Sequence, residues 1–340
     1  MTSKTVLVTG GTGFIAGWCI VDLLRQGYRV RTTVRSLARE PALRRAIASM
    51  VDADDRLSFA LADLIDDRGW DAAVEGCDDV LHIASPLGRE APRDRDALVA
   101  PARDGALRVL KAAVEAGVER VVMTSAAATA RQRGSTAVSN ETIWADPEDS
   151  LLDPYRRSKI LAERAAWEFI AAAPGRTTLT TILPGAVFGP LLPGGDPASV
   201  WVVGALLKGQ PSRLLHLGLS VVDVRDLARA HVTALTAPDA PGQRFLATGS
   251  FLWMPEIAKI LRDGLGEAGA KVPSRTLPNP LVRAMALFMP QLRMFLNDLG
   301  QRRDVDNGKA QRLLDFTTRP VEETLLDCAH SLLKRAARKT

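Results

Sequence analysis

Thr9-Gly10-Gly11-Thr12-Gly13-Phe14-Ile15-Ala16-Gly17 is the stretch that decides the fold. Residues 5–9 ahead of it are an apolar run. Residues 14–25 behind it place Ile15, Trp18, Cys19, Val21, Leu23 and Leu24 at helical spacing. A strand, a glycine turn and a helix in that order form the context in which G-x-x-G-x-x-A cradles a pyrophosphate. Glycine permits the tight turn and the approach of backbone N–H groups, and the helix N-terminus attracts the negative charge. Ala16 fills the third place, which serves helix–strand packing. Such a fingerprint alone is a weak signal, since a structural glycine turn reads the same.

Working outward, residues 29–34 alternate with β-branched side chains, and 57–62, 80–84, 118–125 and 177–183 are further short strands. Helical patterns fit between them, notably 96–116 and 153–172. Strands alternating with helices imply parallel crossovers and an α/β, doubly wound parallel sheet. Beyond Phe188 the pattern loosens. Pro190, Pro193, Gly194, Gly195 and Pro197 mark a loop, 273–290 carries helix breakers, and 307–314 and 321–335 read as closing helices. The expected division is a nucleotide domain over 1–187 and a mainly substrate-binding α/β lobe over 188–340. The lobe is discontinuous, with segments around 221–247 returning to the first domain.

The end of the second strand bears on cofactor choice. An acid there serves the ribose hydroxyls of NAD, and an arginine serves the 2′-phosphate of NADP. Here Arg31-Thr32-Thr33-Val34-Arg35-Ser36 contains no acid. Arg35 can pair with a phosphate and Ser36 can donate to it, so NADP(H) is expected over NAD(H). Asp63 and Leu64, after the third strand, stand either at the adenine or in an exposed turn. Ile83, Ala84 and Ser85 follow the fourth strand and would pass the pyrophosphate and ribose. His82 inside that strand reads as a buried, satisfied histidine.

Tyr155-Arg156-Arg157-Ser158-Lys159 carries the chemistry. Tyr155 and Lys159 are four apart and share a helix face. A free phenol titrates near 10 and is a poor base at neutral pH. An ammonium about 4 Å away, at an effective dielectric near 20, is worth roughly 4 kcal/mol, or about three pKa units. That would bring the phenol toward working pH for proton exchange with a carbinol or carbonyl oxygen. The alternative is an amphipathic helix with a snorkelling lysine.

Bulk properties set limits. The chain has 340 residues, 46% hydrophobic and 24% charged, enough for one large core or two domains. Cys19, Cys77 and Cys328 are dispersed, as are the four histidines, so neither a disulfide framework nor a metal site is expected. Residues 1–4 run into a strand without a signal-peptide pattern, and no apolar run reaches membrane-spanning length; 281–296 is interrupted by Arg283, Gln291 and Arg293. A cytoplasmic protein without membrane attachment is expected. The net charge of +5 comes from scattered arginines with no aromatic-interleaved basic stripe, which points away from nucleic acid.

With TGGTGFIAG, TTVRS, ADLIDD, EGCDDVLHIASP, RVVMTSA, YRRSKILAE, ETIWAD, LPGAVFGP, VVDVRDLARAH and DNGKAQRLLDF in place, the chain resembles the extended short-chain dehydrogenase/reductase superfamily. Within it the likeness is to the dihydroflavonol-4-reductase-like branch, rich in NADPH-dependent carbonyl reductases. The resemblance implies a Rossmann fold, hydride transfer and a Ser/Thr–Tyr–Lys catalytic set in which Tyr155 and Lys159 match directly. It also implies cofactor contacts from Gly10, Thr12, Gly13, Phe14, Ile15, Thr124, Tyr155 and Lys159, and from the backbone of Pro184, Gly185, Ala186 and Val187. The hydroxyl does not match: in Thr124-Ser125-Ala126-Ala127-Ala128-Thr129 the catalytic place holds Ala126. Ser125 is assigned to the role, with Thr129 or no residue as alternatives. Losing one such donor costs about 10²–10³ in rate.

Substrate contacts are expected from Pro86, Leu87, Ala126, Ala127 and Phe188. Trp144, Trp201 and the 281–296 stripe are further apolar candidates, although the stripe reads more simply as lobe packing. An aromatic or alicyclic ketone or aldehyde follows as the substrate class, with the protein a monomer or a homodimer. Two other functions stay open. A nucleotide-sugar epimerase or dehydratase would usually carry R-x-x-N-x-x-GP after the sixth strand, which 183–190 lacks. A non-catalytic NADP-sensing protein would leave Tyr155 and Lys159 unexplained.

Overall fold

The apolar run before the glycine loop forms β1 (Thr5–Val8), with Val6 and Val8 facing one helix layer and Leu7 the other. This computed structural model describes residues 4–86, 94–131, 137–150, 152–193 and 199–337. The other strands are β2 (Arg29–Val34), β3 (Leu57–Leu61), β4 (Asp79–His82), β5 (Arg120–Thr124), β6 (Thr178–Pro184), β7 (Ala186–Phe188), β8 (Gly218–Asp223), β9 (Arg244–Ala247) and β10 (Phe251–Trp253). The helices, leaving aside 3-10 turns, are α1 (Phe14–Arg25), α2 (Glu40–Ala48), α3 (Trp70–Val74), α4 (Val99–Glu115), α5 (Pro154–Ala172), α6 (Trp201–Leu207), α7 (Val224–Ala234), α8 (Met254–Leu265), α9 (Asn279–Phe288), α10 (Gly308–Leu314) and α11 (Val321–Ala337).

Seven strands form one parallel sheet in the order β3-β2-β1-β4-β5-β6-β9. The order reverses between β1 and β4, and in such sheets ligands bind at that switch point beyond the carboxyl ends. α1, α2 and α7 cover one face; α3, α4 and α5 cover the other. The expected Rossmann-type doubly wound sheet is the one observed. β9 returns from the second half of the chain to extend the sheet beside β6, with α7 packed on α1. β7, β8 and β10 form a separate small sheet. Trp18 of α1 donates from Nε1 to the Pro190 carbonyl at 2.9 Å, tying the first helix to the loop after β7.

Two helix starts explain themselves. The 96–116 pattern begins as helix only at Val99, because Asp94 Oδ1 accepts from Asp96 N at 2.9 Å and closes a turn first. α5 starts at Pro154, where Asp153 accepts from Arg156 N at 2.8 Å as its N-cap and proline occupies the first helical place.

One expectation needs correction. The 281–296 stripe is not lobe packing: Leu287 is 70% exposed and Phe288 86%, and among α9 residues only Val282 and Ala286 are buried. The helix contacts its lobe along a narrow line, so most of its apolar residues miss the core.

Candidate active site

The glycine loop closes by backbone contacts that leave no room for side chains. Gly10 has φ +71°, and a Cβ there would lie 2.9 Å from Ala84 Cβ. At Gly11 a Cβ would meet Thr32 Oγ1 at 2.2 Å. Gly10 N donates to Thr33 Oγ1 at 2.9 Å and Gly13 N to the Gly10 carbonyl at 2.8 Å. Gly13 is the N-cap of α1, so the first N–H groups of the helix open beyond the loop. Thr12 and Ile15 are half-buried, Phe14 and Ala16 are buried, and Ala16 sits in the core.

Thr9 fixes the neighbouring strand end. Its Oγ1 accepts from Ile83 N at 3.0 Å and Ala84 N at 2.9 Å. With those two bonds accepted, its proton goes to His82 Nδ1 at 3.0 Å, which sets the His82 tautomer. Burial, then the charge of Lys159, pushes the His82 pKa down to about 3. His82 is therefore neutral, buried and satisfied. Ser85 and Pro86 are half-buried beyond this turn, whereas Leu87 lies outside the described residues.

Arg35 and Ser36 are exposed past the end of β2, and Arg35 makes no hydrogen bond or ion pair among the described residues. Arg31 differs: its Nη1 is spent on the carbonyls of Ala72, Ala73 and Glu75. Asp63 accepts from Ile65 N at 3.3 Å in a local turn, and Leu64 packs against α4.

Tyr155 and Lys159 lie on the first turns of α5, and Lys159 faces the end of β5. Lys159 is 4% exposed and its Nζ donates to the Thr124 carbonyl at 3.1 Å. Burial pulls its pKa down to about 8, against the opposing pull of Glu163. The expected lowering of the Tyr155 phenol by this ammonium is not what the structure shows. Tyr155 is pushed up to about 12, first by burial and then by the Asp153 carboxylate. Packing around the half-buried ring penalises the phenolate, and Lys159 directs one of its three protons to a carbonyl instead.

The three hydroxyls at the end of β5 have all spent their protons on protein acceptors. His231 Nδ1 lies 2.8 Å from the Leu227 carbonyl and must donate to it. Its Nε2 therefore accepts from Thr124 Oγ1 at 2.8 Å. Ser125, expected to polarise a carbonyl, donates instead to Glu163 Oε2 at 2.6 Å. Thr129 donates to the Ala126 carbonyl at 2.9 Å. Ala126 and Ala127 are 7% and 3% exposed between them. Phe188 is 1% exposed in the core, so its ring is not a pocket wall. Pro184 and Val187 are buried and Gly185 and Ala186 half-buried along the β6–β7 junction.

Sequence reasoning did not single out the network beneath these groups. Glu163 is fully buried and accepts from Ser125, from Thr181 Oγ1 at 2.9 Å and from Arg244 Nε at 2.8 Å. Arg244, from β9, also donates to the carbonyls of Glu141 and Ile143, each at 2.8 Å, and stacks 3.6 Å from the Trp144 ring. Trp144 thus serves this clamp. Glu163 was detectable as a charge one turn after Lys159 on the same face. Arg244 carries no local signal. Among the described residues no metal-ligating cluster occurs, and no helix is long and apolar enough to cross a membrane.

Known proteins share this fold. The family model of the NAD dependent epimerase/dehydratase family matches residues 6–247. Cinnamoyl-CoA reductase 1 of Petunia hybrida is 32% identical over 98% of this chain and 94% of its own. Dihydroflavonol 4-reductase of Dianthus caryophyllus is 33% identical over 76% of this chain and 73% of its own. The solved structure of yeast methylglyoxal/isovaleraldehyde reductase in complex with NADPH superposes with TM-score 0.82 at 26% identity, covering 98% of this chain and all of the other. With more than half its length matched and its sheet, loop and helix arranged as described, this chain belongs to the NAD dependent epimerase/dehydratase family.

Proposed function

We propose that the protein reduces a ketone or aldehyde on an aromatic or alicyclic substrate with NADPH, reversibly oxidising the alcohol. The observation that carries this reading is the buried Lys159, held by the Thr124 carbonyl at the end of β5, one helical turn from Tyr155. Its curated relatives named above are reductases, and the yeast neighbour holds NADPH.

The residues fit the cofactor. The loop at Gly10 and Gly11 admits no side chain, the α1 N-terminus offers N–H groups to a pyrophosphate, and Arg35 has no partner among the described residues that would compete with a 2′-phosphate. When bound, the nicotinamide supplies the hydride. Tyr155 donates its proton to the carbonyl oxygen as negative charge develops there. A phenol pushed up to about 12 is fully protonated at neutral pH, as a donor in the reductive direction must be. Lys159, through its bond to the Thr124 carbonyl, holds the first turns of α5 against the end of β5.

A panel of aryl and alicyclic ketones and aldehydes, followed by loss of NADPH absorbance, tests the reading. Consumption is expected with some member and is abolished by Tyr155→Phe. Undiminished turnover in that variant would remove Tyr155 from the proton-donor role.

A further inference from the structure

Three guanidiniums converge where the start of α5 meets the C-terminal lobe. Arg156, next to Tyr155, pairs with Asp153 at 3.1 Å and Asp298 at 2.8 Å. Arg303 pairs with the other oxygen of Asp298 at 3.1 Å. Arg131 follows the turn that carries Ala126 and Ala127, within electrostatic reach of Arg156, Arg303 and Asp298. Its Nε is buried with no hydrogen-bond partner, while the residue keeps part of its surface open. Three cations face two carboxylates, which leaves one positive charge in excess among the described residues.

We propose that Arg131, supported by Arg156 and Arg303, binds an oxyanion, a carboxylate or a phosphate ester, carried by the substrate itself. The proposal rests on the reductase reading and names the substrate class for that site. The buried Nε of Arg131 lacks an acceptor, and an oxyanion at the open side of the residue offers paired acceptors to the guanidinium fork. Burial and then Arg156, opposed by Asp298 and joined by Arg303, pull the Arg131 pKa down to about 10, an environment a further anion would relieve. Location separates this site from the cofactor's phosphates. Those belong at the glycine loop and the end of β2, whereas Asp298 and Arg303 come from the segment that pairs with Ser139 through Asp304 and Asp306. Asp153 joins the cluster to the chemistry, since it pairs with Arg156 and also raises the Tyr155 phenol.

The test compares 2-, 3- and 4-formylbenzoate with their methyl esters as substrates of the wild type, Arg131→Gln and Arg131→Lys. The acid-to-ester ratio of kcat/KM is expected to fall about tenfold or more in the glutamine variant, with partial recovery in the lysine variant. An unchanged ratio overturns the proposal. Calorimetric titration of the NADPH-loaded protein with benzoate, phenyl phosphate and benzamide gives a readout without turnover. Binding of either anion that Arg131→Gln abolishes supports the site, and the tighter anion identifies the source. Equal binding of both anions and benzamide, unaffected by the substitution, overturns it. Anion binding without reduction of any aldehyde keeps the site and removes the reductase reading. Reduction without anion preference does the reverse.

Discussion

Ser125 gives its only hydroxyl proton to Glu163, at 2.6 Å, and so cannot also give it to a carbonyl substrate. Thr124 and Thr129 are committed in the same way. Tyr155 then carries the one hydroxyl of the proposed catalytic set whose proton is not spent on a protein acceptor among the described residues. In the proposed catalytic set a second donor would act beside it from the place that Ala126 holds. Ala126→Ser is expected to raise kcat on a carbonyl substrate by about tenfold or more, since one preorganised donor is worth about 10²–10³. Steady-state kinetics with NADPH measures it. No gain, with a serine shown to be free of Glu163, would place carbonyl polarisation elsewhere.

Glu163 of α5 and Arg244 of β9 form a nearly fully buried ion pair, at 0% and 7% side-chain exposure. Removing one partner of such a pair strands the other charge and costs about 3–5 kcal/mol. Glu163→Gln and Arg244→Met should each destabilise the fold by that order in urea titrations. The double variant should lose clearly less than the two combined. Strict additivity would show that the pair is not coupled. The Gln variant should also lower the Lys159 pKa further, because Glu163 is the group that holds it up.

The large sheet was legible because its strands before the β6–β7 junction are short runs rich in apolar or β-branched residues, and α1 matched its expected span at both ends. β9 was not, because four residues, Arg-Phe-Leu-Ala, read as a strand only once β6 offers them an edge. In the candidate site, the Tyr155–Lys159 spacing was visible from helix geometry alone. The destination of each hydroxyl was not: Ser125 is bound by a residue 38 positions away and Thr124 by one 107 away. The sign of the Tyr155 shift was missed for a related reason, since burial of the phenol depends on everything packed around it.

Arg35, exposed at the end of β2 and without a partner among the described residues, is the side chain proposed to hold the phosphate that NADH lacks. Arg35→Ala should raise the Kd for NADPH about tenfold or more while changing that for NADH little, since one charge-assisted bidentate contact is lost. Fluorescence titration with both cofactors measures the two constants. Equal changes would exclude the phosphate role.

His82 and His231 make acid stability a test of the buried network. Both are neutral in the fold, with pKa values pulled by burial to about 3 and about 4 from an ordinary 6.5. Between pH 6.5 and 4 the unfolded chain takes up a proton at each while the folded chain does not. Stability must then fall as pH falls, by about 1.4 kcal/mol per pH unit for each histidine. Lowering pH from 7 to 5 should cost about 4 kcal/mol from the pair, read from urea unfolding at each pH. His231→Gln removes one titrating group and should roughly halve that slope while lowering stability at pH 7, because Thr124 loses its acceptor. An unaltered slope would mean that His231 is protonated in the fold, and its bond with Thr124 would then run in the opposite sense.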